Sequence, residues 1–284
     1  MDMIINVLKS IVFGIVQGIT EWLPISSTGH LIILQKFMPL DVFGGDMVAN
    51  TAFWDMYKVV IQFGSIIAVL LLYWHLLWPF SKNNSPKKKS SILRLWIKII
   101  VASVPAAIAG FILDDWIDAK MNFPWVVAIF LIVYGVIFIW IERRPHKYTT
   151  TDVKKITYKK AFQAGLFQCL ALLPGTSRSG STIIGETLLG FDRPTAAEFS
   201  FFMAIPVMFG ASLLKIIKMF LKGVALNMTG TIVLLVGTLV SFLVSVLVIK
   251  YLMSYIRKHD FQAFGKYRIV LGVVILALTF AKVL

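Results

Sequence analysis

Cysteine is nearly absent from this chain of 284 residues: Cys169 stands alone, so no intramolecular disulfide can form, and it lies in an apolar stretch where an inert buried thiol is expected. With no C-x-x-C pair and four histidines, zinc and iron–sulfur centres are not expected either. Charge is scarce. Asp, Glu, Lys and Arg make up 15% of the residues, against about 25% in soluble domains, which excludes a soluble fold. Acidic residues are the scarcest, 14 against 28 Lys and Arg, leaving a net charge of +14. In a chain this apolar, a basic excess reports which loops face the cytoplasm, so nucleic acid is not expected as a partner. A cleavable leader is not expected, because Asp2 and Lys9 interrupt the first apolar run and no small-x-small site follows. What is abundant is apolar: 58% hydrophobic residues, a mean hydropathy of +0.82, 22 Phe and 8 Trp. Several runs approach the roughly 20 residues needed to cross a bilayer, which indicates an all-α polytopic membrane protein surrounded by membrane lipids.

Uncharged apolar runs predict six full transmembrane helices, at 59–80, 95–111, 121–141, 199–221, 223–249 and 267–284. The second carries Lys98 near one end, where it could snorkel. Two more apolar regions, 3–35 and 161–190, are broken by polar turns, Pro24-Ile25-Ser26-Ser27-Thr28-Gly29 and Pro174-Gly175-Thr176-Ser177-Arg178-Ser179-Gly180. Halves of about 15 residues, roughly 22 Å as helix, fall short of a hydrocarbon core of roughly 30 Å and predict two re-entrant helical hairpins. A shift of 151 residues carries Gly14 onto Gly165, Gln17 onto Gln168, Ser26 onto Ser177 and Gly29 onto Gly180. Phe63-Gly64 falls on Phe209-Gly210 at a slightly different offset. An internal duplication follows, with repeats at 1–141 and 155–284 in one integral membrane domain. One hairpin and three spans per repeat make the second begin on the opposite side from the first, an inverted-topology pair. Lys82, Lys87, Lys88, Lys89 and Arg94, then Arg143, Arg144, Lys147, Lys154, Lys155, Lys159 and Lys160, then Arg257, Lys258, Lys266 and Arg268 are expected in three cytoplasmic loops. Asp41, Asp46, Asp55, Asp114, Asp115 and Asp118 are expected on the other side, where Lys215, Lys218 and Lys222 disagree with the rule.

Ionisable side chains inside a membrane are costly and usually functional. The first broken region offers Gln17 and Glu21, four apart on one helix face, then Ser26, Ser27, Thr28 and His30. The second offers Arg178 between Ser177 and Ser179, with Gly175, Thr176 and Gly180 around it. Each turn opens a half-helix, whose free N–H groups and positive dipole end attract an anion, and Arg178 adds a planar fork that suits phosphate. The expected ligand is a lipid bearing a phosphate or diphosphate headgroup. Ser27 or His30 could attack phosphorus, Arg178 and backbone donors could neutralise the developing charge, and Glu21 could act as base. Glu21 with Gln17 offers hard oxygen ligands, which suit Mg²⁺ or Ca²⁺ shared with the substrate. A transporter or flippase for a lipid phosphate or other anion is the alternative, since broken helices in inverted repeats also form transport sites.

The two stretches Gln17-Gly-Ile-Thr-Glu21-Trp-Leu-Pro-Ile-Ser-Ser27-Thr-Gly-His30 and Pro174-Gly-Thr-Ser-Arg178-Ser-Gly180, with Glu198-Phe-Ser-Phe-Phe further on, closely resemble the signature motifs of the undecaprenyl-diphosphate phosphatases, the bacitracin-resistance family. The resemblance implies a bacterial inner-membrane hydrolase that converts undecaprenyl diphosphate to the monophosphate, recycles the lipid carrier for peptidoglycan synthesis and confers bacitracin resistance. It implies a site open to the periplasmic side. By position it makes Glu21, Ser27, His30 and Arg178 the essential residues, with Ser26, Ser177 and Ser179 nearby. Many members carry Glu where this chain has Gln17, a weaker metal ligand that cannot act as a base. A homodimer is an open alternative to a monomer.

Overall fold

The computed structural model describes residues 2–121 and 123–284, apart from the side chains of Asp2, Asp114 and Asp118. The outer-side placement expected for Asp114 and Asp118 therefore lies outside the described side chains. Among the described residues the regular structure is helical, apart from one isolated parallel bridge between Thr150 and Phe191. The helices are α1 (Asp2–Thr20), α2 (Ser27–Phe37), α3 (Met47–Leu72), the short α4 (Trp74–Leu77), α5 (Pro86–Lys120), α6 (Pro124–Glu142), α7 (Tyr158–Cys169), α8 (Arg178–Leu188), α9 (Arg193–Leu221), α10 (Met228–Tyr255) and α11 (Gln262–Phe280). Among the described residues, seven of them, α1, α3, α5, α6, α9, α10 and α11, are long and apolar enough to cross a membrane. The chain is a multi-pass membrane protein.

The seventh is α1, which runs 19 residues rather than the roughly 15 expected of a half-helix. Two other boundaries also lie beyond the uncharged runs. Helix α3 starts at Met47 because Asp46 caps it, accepting from the N–H groups of Val48 and Ala49 at 3.0 Å each. Charge does not stop it, since Lys58 pairs with Asp55 one turn earlier at 2.9 Å. Helix α5 extends over 35 residues, opened by Ser85 and Pro86. Within it Lys98 is buried and donates to the Lys154 carbonyl at 2.8 Å. Both polar turns stop their helices as read from the sequence: α1 ends four residues before Pro24, and α7 passes through a 3₁₀ turn at Leu170–Leu172 before Pro174. The helices that restart, α2 and α8, are 11 residues each. At roughly 16 Å they are too short to cross unaided.

Helix α1 packs on α10 as α7 packs on α5, α3 lies between α9 and α10, and α6 pairs with α11. Small residues make these crossings close. A Cβ on Gly14 would strike the Gly237 carbonyl, and one on Gly165 the Ala102 carbonyl. Gly135 of α6 and Gly265 of α11 face each other in the same manner. Hydroxyls add polar ties, with Ser245 donating to Ser65 at 2.9 Å and Ser65 and Ser241 sharing a hydrogen bond of 2.9 Å between α3 and α10. At the helix ends, Glu142 of α6 forms an ion pair with Arg193 of α9 and accepts the Phe261 N–H at 3.2 Å just before α11. Lys218 pairs with Asp115 at 2.8 Å, placing that lysine beside one of the aspartates expected on the outer side.

The α6–α11 crossing yields a test. Gly135→Leu drives a side chain into the Gly265 backbone and should lower stability by about 1–3 kcal/mol, read as an earlier thermal unfolding transition in detergent. An unchanged transition would show that the helices separate there without cost.

Candidate active site

Both restarting helices open with the same backbone device. Ser26 and Ser177 are the N-caps of α2 and α8, with φ of 72° and 69°, left-handed values that a non-glycine residue rarely adopts. Each turns its hydroxyl onto the third residue beyond, Ser26 accepting from Gly29 N–H at 3.5 Å and Ser177 from Gly180 N–H at 3.2 Å. Thr176 is fully buried and its hydroxyl bonds to the Leu170 and Leu173 carbonyls within its own turn, at 2.9 and 2.8 Å. Gly175, with φ of 96°, lies against the Val127 backbone, where a Cβ would clash. Thr176 and Gly175 thus shape the second turn, whereas Thr28 is exposed at the start of α2.

The two turns meet through Glu21. Its Oε2 accepts from Gln17 Nε2 at 2.9 Å and from Ser27 Oγ at 3.2 Å. Its Oε1 accepts from Arg178 Nη2 at 3.3 Å. Ser179 Oγ donates to the Glu21 carbonyl at 3.1 Å, and its hydroxyl lies 3.2 Å from that of Ser177. Four of the sequence-predicted residues, Gln17, Glu21, Ser27 and Arg178, therefore share one hydrogen-bond network. Arg178 also donates through Nη1 to the Ser200 carbonyl at 2.8 Å and hydroxyl at 3.2 Å, while its Nε has no partner. Its guanidinium stands 5.3 Å from the Trp22 ring centroid.

His30 stands apart from that network. Its Nδ1 lies 2.8 Å from the Ser26 carbonyl and its Nε2 2.7 Å from Tyr267 Oη, with the two rings nearly parallel at 8°.

Because the Glu21 carboxylate only accepts, Gln17 must turn its amide nitrogen toward it, which leaves Gln17 Oε1 buried with no partner. That orphaned oxygen, next to a carboxylate, fits a hard divalent cation that a phosphate would share. Among the described residues no group of three or more His, Cys, Asp or Glu side chains gathers to hold an ion by itself.

One residue expected elsewhere belongs here. Arg268, expected in a cytoplasmic loop, is fully buried in α11. It donates to the Pro24 carbonyl at 3.2 Å and to those of Gly175 and Thr176 at 2.8 and 2.9 Å, so one guanidinium holds both polar turns. Gly180 makes room for it, since a Cβ there would lie 2.9 Å from Arg268 Nη1. The available signal was its position as the second residue of the last apolar run, inside the run rather than before it. Tyr267 beside it and Ser200, within the Glu198-Phe-Ser-Phe-Phe stretch, were likewise given no role by the sequence.

A family model described as "Bacitracin resistance protein BacA" matches residues 10–274. The chain is 50% identical over 278 residues to an undecaprenyl-diphosphatase of Lactococcus lactis subsp. cremoris, covering 95% of each protein. It is 48% identical over 275 residues to one of Streptococcus thermophilus, covering 96% of this chain and 93% of that protein. To one of Streptococcus pyogenes serotype M1 it is 47% identical over 282 residues, 99% of each.

The double brace from Arg268 is open to mutation. Arg268→Ala leaves buried carbonyls in both turns unpaired, each worth about 1–3 kcal/mol, and should lower the unfolding midpoint more than Arg178→Ala does. Equal shifts would mean that the turns keep their shape without the guanidinium.

Proposed function

The chain belongs to the bacitracin resistance protein BacA family, and on that premise we propose that it is an integral membrane phosphatase that hydrolyses undecaprenyl diphosphate to undecaprenyl phosphate and inorganic phosphate. Recycling of the carrier lipid for peptidoglycan synthesis and resistance to bacitracin follow from that activity. The observation that carries the reading is the hydrogen-bonded set Ser27–Glu21–Arg178, which places a hydroxyl, a carboxylate and a guanidinium together at the openings of two helices. Helix openings and a guanidinium bind phosphate, and a hydroxyl on a carboxylate is an activated nucleophile.

In the reaction we propose, Ser27 Oγ attacks the terminal phosphorus and passes its proton to Glu21. The bond from phosphorus to the bridging oxygen breaks, and the lipid monophosphate leaves. Arg178 meets charge developing on the phosphoryl oxygens, its unpartnered Nε being the donor it has in reserve. Water then attacks the phosphorus of the phosphoserine, the bond from phosphorus to Ser27 Oγ breaks as Glu21 returns its proton to that oxygen, His30 accepts a proton of the water, and inorganic phosphate leaves. Ser27 is favoured as nucleophile over His30 because it already donates to the base in the network that holds Arg178, whereas His30 lies outside that network. Gln17 Oε1 and Glu21 would hold Mg²⁺ or Ca²⁺ against the substrate; such a cation, when bound, supplies charge neutralisation at the phosphate oxygens.

We also read the chain as two inverted repeats, 1–141 and 155–284, each with a re-entrant hairpin. The paired N-caps at Ser26 and Ser177, 151 residues apart, support this. So does the packing of α1 on α10 and of α7 on α5, each through the matched glycine, Gly14 or Gly165, against a helix carbonyl. The basic segments then face the cytoplasm of a bacterial inner membrane, and the substrate site opens outward.

Purified protein with Mg²⁺ or Ca²⁺ should release phosphate from undecaprenyl diphosphate, and Glu21→Ala or Arg178→Ala should reduce the rate by at least about a hundredfold. Release that survives both substitutions would remove the site assignment, and lipid transfer across vesicles without release would favour a transporter. Trapping with labelled substrate should give an acid-stable phosphoserine; an acid-labile adduct would pass the nucleophile's role to His30. Gln17→Glu adds a second carboxylate and should lower the Mg²⁺ concentration for half-maximal activity, a result that unchanged metal dependence would contradict. For topology, single cysteines at Asn83 and Asp115, both exposed, in a Cys169→Ala background should label from opposite sides. Labelling from one side would overturn the inverted arrangement.

A further inference from the structure

We propose that Tyr267 is a positioning residue for His30, holding Nε2 in both protonation states of a ring whose tautomer the Ser26 carbonyl sets. The inference rests on the phosphatase reading for its kinetic consequence, but its geometry stands without it. The Ser26 carbonyl can only accept, so the 2.8 Å contact requires a proton on His30 Nδ1. A neutral imidazole carries one N–H, so Nε2 is then a bare acceptor, and the phenol O–H of Tyr267 donates to it at 2.7 Å. The ring is thus held at both nitrogens, from a carbonyl in its own helix cap and from a hydroxyl on α11. The stacking adds a third constraint, with centroids 5.6 Å apart and planes 8° from parallel. A half-turn of the imidazole would break both hydrogen bonds.

Tyr267 and Arg268 are neighbours on one helix. Arg268 holds the carbonyls of both polar turns while Tyr267 holds the histidine that follows the first of them. The second turn of α11 therefore sets the frame of the hairpin and the orientation of its imidazole together, with no side chain from α11 in the Ser27–Glu21–Arg178 network. The phenol also suits both charge states of the ring. When Nε2 gains a proton, the hydroxyl rotates so that Oη accepts from the new N–H and its own proton turns away. The contact at 2.7 Å persists through the cycle with donor and acceptor exchanged.

Tyr267→Phe keeps the ring and removes the hydroxyl. In protein with ¹⁵N-labelled histidine, nitrogen NMR should assign wild-type His30 a protonated Nδ1 and a bare Nε2, and in the variant the Nε2 signal should move because its hydrogen bond is lost. With undecaprenyl diphosphate as substrate, the variant should lose roughly three- to tenfold in kcat with little change in KM. Its kcat against pH should shift along the limb set by histidine titration. In a His30→Ala background, Tyr267→Phe should cause no further loss, because the hydroxyl acts only through the ring it holds. Identical histidine nitrogen signals in wild type and variant, or losses that multiply in the double variant, would overturn the proposal. If the wild type released no phosphate, the functional reading would fall, and the nitrogen signals alone would still decide whether Tyr267 holds Nε2.

Discussion

A helix broken inside a bundle of apolar helices leaves N–H and C=O groups that lipid cannot satisfy, and each left unpaired would cost a few kcal/mol. This protein breaks two helices, and the same residue relieves both. Arg268 reaches the carbonyls of Pro24, Gly175 and Thr176 from a fully buried position, while Ser26 and Ser177 cap the helices that restart. A guanidinium suits the task because it has several donors in one plane, keeps its charge and is weakly hydrated compared with an ammonium. With those carbonyls paired, the turns can keep their helix openings and small hydroxyls for another molecule.

The hydrogen-bond network around Glu21 is divided between the halves of the chain. Glu21 and Ser27 come from the first polar turn, Arg178 from the second, and their contact spans 157 positions of sequence. Neither turn alone combines a carboxylate with a guanidinium. An ion pair in low dielectric is costly to assemble and strongly destabilising to break; a phosphate arriving beside Arg178 would supply the second anion that its remaining donor lacks. The requirement that both turns meet explains why so much of the packing consists of close crossings at Gly14, Gly135, Gly165 and Gly265, which bring helix backbones together without side chains between them.

How much could be read beforehand differs from residue to residue. The two turns were legible because a cluster of Pro, Gly and hydroxyl residues interrupts a helix even when the sequence on either side of it is apolar, and Gln17, Glu21, Ser27 and Arg178 were named from those clusters. Helix limits were less legible. Asp55 and Lys58 stand just before the uncharged run 59–80 and look like the limit of its helix, yet they pair with each other inside α3 and the helix continues through them. Arg268 was misread for the opposite reason, since a cation close to Lys266 in sequence resembles one more solvated loop charge until the carbonyls around it are seen. His30 is named from the first cluster as well, and Ser26 and Tyr267 hold it outside the Glu21 network.

The sequence by itself determined the solvent of this protein, its helical class and the kinds of chemistry open to it, because composition and run length set what a bilayer will accept and side-chain type sets what can bind phosphate. Only the tertiary structure decided which of those groups touch. Hydrogen bonds between residues 157, 237 and 244 positions apart have no local signature. They depend on α11 and α8 arriving against the first broken helix, which is a matter of packing between surfaces that look equally apolar in the sequence.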